Sequence, residues 1–92
     1  VYEYDLTTKD RKLLKRKEVL GGYDPANYVT ERVMAPTADG VKVPVSLVYK
    51  KGVKRDGSAA CLLYGYGSYG FSLPVAFSPT RVSLLDRGVV FA

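Results

Sequence analysis

The stretch Ala59-Ala60-Cys61-Leu62-Leu63-Tyr64-Gly65-Tyr66-Gly67-Ser68-Tyr69-Gly70 decides the reading of the chain. Its first half is continuously apolar and short, as in a strand buried on both faces in the centre of a parallel sheet. Its second half is a glycine-rich turn. Thr80 is a candidate cap for a helix over residues 81–87, with Val82 and Leu85 facing inward. Gly88 fits the position just past the C-terminus of that helix. The apolar run from Val89 to Ala92 reads as the next buried strand. Strand, loop, helix and strand in this order make the opening of an α/β sheet.

Upstream, residues 28–36 read as a strand. Asp39-Gly40 is a hairpin signal. Val41, Val43, Val45, Leu47 and Tyr49 then alternate with Lys42, Pro44, Ser46 and Val48, an amphipathic strand. Pro44 has no N–H to give, which places this strand near an edge or at a bend. Gly21-Gly22-Tyr23-Asp24-Pro25 breaks the chain and marks a boundary near residues 21–28. Before it, Tyr2 to Leu6 alternate as a half-buried strand, and Thr7 to Asp10 form a polar turn. Leu13 to Leu20 return as a second strand or a short helix. Such a strand–turn–strand unit builds meanders and propeller blades.

The chain has 92 residues, 47% of them hydrophobic and 25% charged, which fits a globular protein and not a disordered tail, collagen or disulfide scaffold. No apolar run approaches the roughly 20 residues that span a bilayer, so no membrane partner is expected. Residues 1–10 lack the pattern of a secretory signal. Val1 in place of methionine, and an apolar run at Val89–Ala92, lead to the expectation of an internal fragment of a larger protein. The net charge of +5 gathers at Lys9–Lys17 and Lys50–Arg55. Such clusters can neutralise phosphates, with the eight tyrosines as stacking platforms. Turns and solvated faces are the preferred reading of both clusters, and no nucleic-acid partner is expected. The lone Cys61 allows neither an internal disulfide nor a zinc site and suits a reducing, cytoplasmic compartment. No cofactor and no metal are expected.

There is no histidine, so these residues alone hold neither a Ser-His-Asp nor a Cys-His triad. The Gly65–Gly70 turn then has three readings. As G-x-G-x-x-G it matches a dinucleotide loop. However, Phe71-Ser72-Leu73-Pro74 does not open a helix, and Tyr66 and Tyr69 would crowd a pyrophosphate. As a nucleophile elbow it fails, because the residue two before Ser68 is Tyr66, not glycine. As the loop after the third strand of an α/β-hydrolase sheet, it supplies an oxyanion donor. A tyrosine hydroxyl can do this work, and Tyr66 lies between two glycines. Tyr64, Tyr66 and Tyr69 serve equally as core or rim aromatics, and spacing alone does not separate the two roles.

Gly21–Tyr28, Asp39–Tyr49, Leu62–Gly70 and Ser83–Gly88, in this order, resemble the oligopeptidase B branch of the prolyl oligopeptidase family of serine peptidases. The resemblance covers nearly the whole chain. It implies an α/β fold: the start of an α/β-hydrolase sheet preceded by the last strands of a β-propeller. Residues 1–20 would be terminal propeller strands, 21–27 a linker, and 28–92 the incomplete N-terminal part of the catalytic domain. It further implies a peptidase that cleaves short peptides after Lys or Arg through an acyl-enzyme. In that family the second tyrosine of Tyr-Gly-Tyr-Gly, here Tyr66, donates to the oxyanion, and Tyr69 lines the substrate pocket. The triad and the acidic groups that select basic residues would lie outside these 92 residues, and the segment alone would be inactive. Met34 stands where the family usually has an aromatic. The alternatives from other classes are a non-catalytic basic β-rich binding module and a nucleotide-binding domain of an oxidoreductase.

Overall fold

A computed structural model describes residues 1–92. It contains two sheets and one α-helix. The first sheet pairs β1 (Tyr2–Tyr4) antiparallel with β2 (Arg11–Leu13). The turn between them is set by Asp5. Its Oδ1 accepts hydrogen bonds from the Thr7 and Thr8 amides at 2.7 and 2.9 Å. The Asp5 amide donates to the Asp10 carbonyl at 3.0 Å and the Lys9 amide to the Asp5 carbonyl at 2.9 Å, with Lys9 at φ 63°. This tight Asx-type turn brings Arg11 opposite Tyr4. The return strand therefore starts earlier than the expected 13–20 and is shorter. Most of 14–20 is irregular. Both strands are exposed on both faces, so the expected half-buried character of residues 2–6 is absent.

The second sheet has the order β3-β4-β6-β5, from β3 (Tyr28–Pro36), β4 (Lys42–Lys50), β5 (Cys61–Leu62) and β6 (Val90–Phe91). β3 and β4 form the expected hairpin, in register from Tyr28↔Lys50 to Pro36↔Lys42. Gly40 closes it at φ 84°, a left-handed geometry that suits glycine. Thr37 seals the turn: its amide and hydroxyl both donate to the Val41 carbonyl at 2.9 Å, and its hydroxyl also meets Asp39.

β4 lies inside the sheet rather than at its edge. Thr37 donating to Val41 and Lys51 donating to Asn27 mark the odd-numbered pairs as hydrogen-bonded. Met34↔Pro44 is therefore a non-hydrogen-bonded pair, and the N–H that Pro44 lacks would point away from β3. β6 meets β4 only at Val48↔Phe91. Pro44 thus deprives no neighbour of a hydrogen bond, which resolves its presence in an inner strand.

The next correction concerns β5. It runs parallel to β6, as expected for an α/β sheet, and the hydrogen bonds Val90→Ala60, Ala92→Leu62 and Tyr64→Ala92 (2.9, 3.0 and 2.8 Å) extend the pairing across residues 60–64. However, within these 92 residues β5 is the outermost strand and is exposed, whereas the apolar run predicts a central buried one. A continuous apolar run specifies a strand that can be covered on both faces. Here the only helix packs on β4 and β6 instead.

That helix, α1, spans Pro79–Asp86. Its N-cap is Ser78 with Pro79 in the first turn, not Thr80, because proline at the first helical position costs no intrahelical hydrogen bond. Its C-terminus is a Schellman motif. The Gly88 amide donates to the Leu85 carbonyl and the Val89 amide to that of Leu84, with Gly88 at φ 82°. Leu85 (4% exposed) and Tyr49 (7%) are the two buried residues, and Val82 is half-buried. The 92 residues contain neither a closed propeller nor a complete hydrolase sheet, only this mixed sheet, the small hairpin and one helix.

Candidate active site

The glycine-rich loop hangs from the C-terminal end of β5. Its starting point is fixed twice: the Tyr64 amide is bonded to Ala92, and the Tyr64 ring packs on Phe91 at 6.5 Å. Gly65 and Gly67 then flank Tyr66, which is 49% exposed. Ser68–Gly70 make one 3-10 turn, in which Tyr69 has φ 57°, ψ 24° and Gly70 has φ 68°. A left-handed conformation at a non-glycine residue costs about 1–2 kcal/mol. Tyr69 pays it while 99% exposed, so burial of its own ring does not compensate. The Phe71 amide returns to the Ser68 carbonyl at 3.1 Å. The ring that packs on Tyr66 is Phe71, edge-on, rather than Tyr69.

No α-helix begins at Gly70, and α1 starts only at Pro79. The loop therefore lacks the helix N-terminus that a dinucleotide pyrophosphate requires. Asp86, which has roughly the spacing of a ribose-binding acid, ends α1 and is engaged elsewhere. Ser68 has no histidine to activate it. What the loop presents chemically is a phenol O–H on an exposed ring at the mouth of a parallel strand pair, the position where open α/β sheets carry their sites.

Two polar clusters, which sequence reasoning missed, hold the β3–β4 hairpin to the elements around it. On one face Asp86 accepts a hydrogen bond from the Tyr28 hydroxyl at 3.0 Å and pairs with Lys50 Nζ at 3.0 Å. Lys50 first, and then Tyr28, hold the Asp86 carboxyl below its ordinary range. Desolvation, and then Asp86, push the Tyr28 phenol up. Arg81, one helix length away, lies over the Phe91 ring at 4.1 Å. On the other face the buried Tyr49 hydroxyl donates to Glu31, whose second oxygen pairs with Arg55 at 2.9 Å. The bond to Glu31, and then desolvation, raise the Tyr49 phenol. The partners lie far apart in sequence, so no local pattern announces them.

Tyr23 stacks on Tyr28 at 5.3 Å and meets Phe77 at 4.9 Å, tying the residues before β3 to the segment ahead of α1. A cavity of about 500 Å³ opens beside this cluster, with Arg16 and Lys17 on its rim, away from Tyr66. No group of three His, Cys, Asp or Glu side chains is placed to hold a metal ion. No helix is long and apolar enough to cross a membrane.

No protein-family model matches the chain. Individual proteins do. It is 58% identical over 92 residues to dipeptidyl aminopeptidase BI of Pseudoxanthomonas mexicana, covering 99% of this chain and 13% of that protein. The chain is homologous to the oligopeptidase B and prolyl oligopeptidase enzymes. Prolyl endopeptidase of Elizabethkingia meningoseptica is 35% identical across 100% of the chain, again 13% of the relative. Oligopeptidase B from Leishmania major superposes with a TM-score of 0.84 at 40% identity, over 98% of this chain and 12% of that one. The chain thus spans about an eighth of the length of these homologues (12–13%). The homology links it, at the level of the family, to the propeller-plus-hydrolase architecture of the prolyl oligopeptidases.

Proposed function

We propose that residues 1–92 are an internal segment of a serine oligopeptidase of the oligopeptidase B type. The whole protein would hydrolyse short peptides after Lys or Arg. Residues 1–20 are its last propeller strands, 21–27 the linker, and 28–92 the start of the hydrolase domain. The triad Ser, Asp and His, and the acids that select a basic residue, come from outside this segment. The serine attacks the scissile carbonyl with histidine as base, and the carbonyl oxygen becomes an oxyanion. Tyr66 donates its phenol O–H to that oxygen. Tyr69, exposed beside it, lines the substrate pocket. A reducing cytoplasmic setting keeps the exposed Cys61 a thiol.

The observation that carries this reading is the placement of Tyr66. It stands between two glycines, exposed, on a loop leaving the end of a parallel strand, in a chain homologous to peptidases throughout its length. Preorganised donors of this kind supply much of the rate in acyl transfer. In the full-length enzyme, Tyr66→Phe should lower kcat by about 10²–10³ with KM little changed. An unchanged kcat would remove Tyr66 from the oxyanion site. Matched fluorogenic peptides with Arg, Lys or Pro before the scissile bond test the substrate class, because prolyl endopeptidases are also among the homologues.

The 58% identity to a dipeptidyl aminopeptidase favours a second reading, release of dipeptides from a free amino terminus. Acylating the terminus of the same substrates distinguishes the two. An oligopeptidase cleaves the blocked peptide, and a dipeptidyl aminopeptidase requires the free amine.

A further inference from the structure

The oxyanion donor must reach within 2.7–3.1 Å of an atom that exists only transiently. A tyrosine between two glycines has little backbone stiffness of its own, and neither Gly65 nor Gly67 has a neighbour within contact distance of a Cβ position. Something else must hold the ring. The structure offers one aromatic partner. Phe71 meets Tyr66 at a centroid distance of 6.2 Å and an interplanar angle of 68°. This is the edge-to-face geometry favoured by ring quadrupoles, and it is directional as well as cohesive. The turn that delivers Phe71 is specific. Tyr69 and Gly70 both take positive φ, and the Phe71 amide closes on Ser68 at 3.1 Å, so the chain doubles back within three residues. Extended backbone at 69 and 70 would carry Phe71 away from Tyr66.

We propose that Phe71 is the positioning residue of the oxyanion site. Its ring fixes the orientation of Tyr66 and therefore the place of the Tyr66 hydroxyl. This rests on the reading of Tyr66 as oxyanion donor. In this assignment Phe71 acts only through Tyr66. The strained turn at Tyr69 then has a purpose beyond presenting its own side chain.

The test is a double-mutant cycle in the full-length enzyme, with kcat and KM measured on one fluorogenic peptide. Misplacing a catalytic group by about 1 Å can cost up to 10²-fold, so Phe71→Ala should lower kcat by roughly tenfold or more while KM moves less than about twofold. Phe71→Tyr keeps the ring and should restore most of the rate; Phe71→Leu keeps bulk without the quadrupole and should not. In a Tyr66→Phe background, Phe71→Ala should cost less than about twofold, because the hydroxyl it positions is gone. Melting curves on each variant establish folding, and Phe71→Leu replaces Phe71→Ala if the latter does not fold. An equal cost in both backgrounds, or a rate as high with Leu as with Tyr, overturns the positioning role. No effect of Tyr66→Phe itself would overturn the oxyanion reading instead.

Discussion

The β3–β4 hairpin with α1 and the Tyr64–Phe77 segment stand in contrast. The hairpin pairs nine residues on each strand, carries the buried Tyr49, and satisfies Glu31 and Asp86 with partners from distant elements. The tyrosine loop has one 3-10 turn, glycines with nothing around them, and aromatic rings open to solvent. Substituting in the first region should be felt as stability, and in the second as chemistry. The start of the loop is pinned to β6 by the Tyr64 amide bond to Ala92.

Leu85→Ala is the strongest way to break this division. Leu85 joins α1 to the sheet, and deleting a buried leucine costs about 2–5 kcal/mol. Urea unfolding should show a lower midpoint, with kcat of the enzyme still folded at low urea nearly unchanged. A loss of kcat without loss of stability would mean that helix and loop are one unit. Tyr69→Asn sharpens the contrast from the other side. Asparagine accepts the left-handed backbone, so stability should stay within about 0.5 kcal/mol while KM rises with loss of the pocket ring. A melting temperature that falls as far as in Leu85→Ala would sink that assignment.

The smallest effect should come from acid. Asp86 is held below its ordinary value by Lys50 and Tyr28, so the folded form binds its proton less readily than the unfolded chain. Its contribution is complete above the unfolded carboxylate range and is lost as pH falls through the folded value, which lies below 3.8. Asp86→Asn should flatten the acid limb of the stability curve slightly, with stability a little lower near neutrality and converging on the parent protein at low pH. An equally steep limb in the mutant would show that the ion pair is not coupled to folding.

What could be read from sequence follows the range of the interactions involved. Asp39-Gly40 and Gly88 declare their turns because a positive φ selects glycine within a few residues. The alternation on β4 is visible because its period is local. Pro79 marks the helix start by residue type alone, because proline is favoured at the first helical position, one residue ahead of Thr80. Ala59–Tyr64 declared a strand but not its place in the sheet, since burial depends on what lies alongside. Tyr28, Lys50 and Asp86 meet only after β3, β4 and α1 have packed. The Tyr66–Phe71 pair was hidden for another reason. It depends on Tyr69 adopting a backbone that its residue type disfavours, and residues 71–79 offered no pattern to read. Tyr66 and Tyr69 themselves were legible as a motif, whereas their support was not.

The position of β6 between β4 and β5 also has a consequence in time. The β3–β4 hairpin closes around a short turn and needs nothing distant. β5 finds its partner only after the chain has run through the loop and α1 to Val90, a non-local closure that is slower to form. The segment bearing Tyr66 is therefore the last part of this region to acquire its shape. During synthesis it emerges before β6 exists to receive it, and in that interval Leu62, Leu63 and Tyr64 lack the strand that pairs with them in the folded chain.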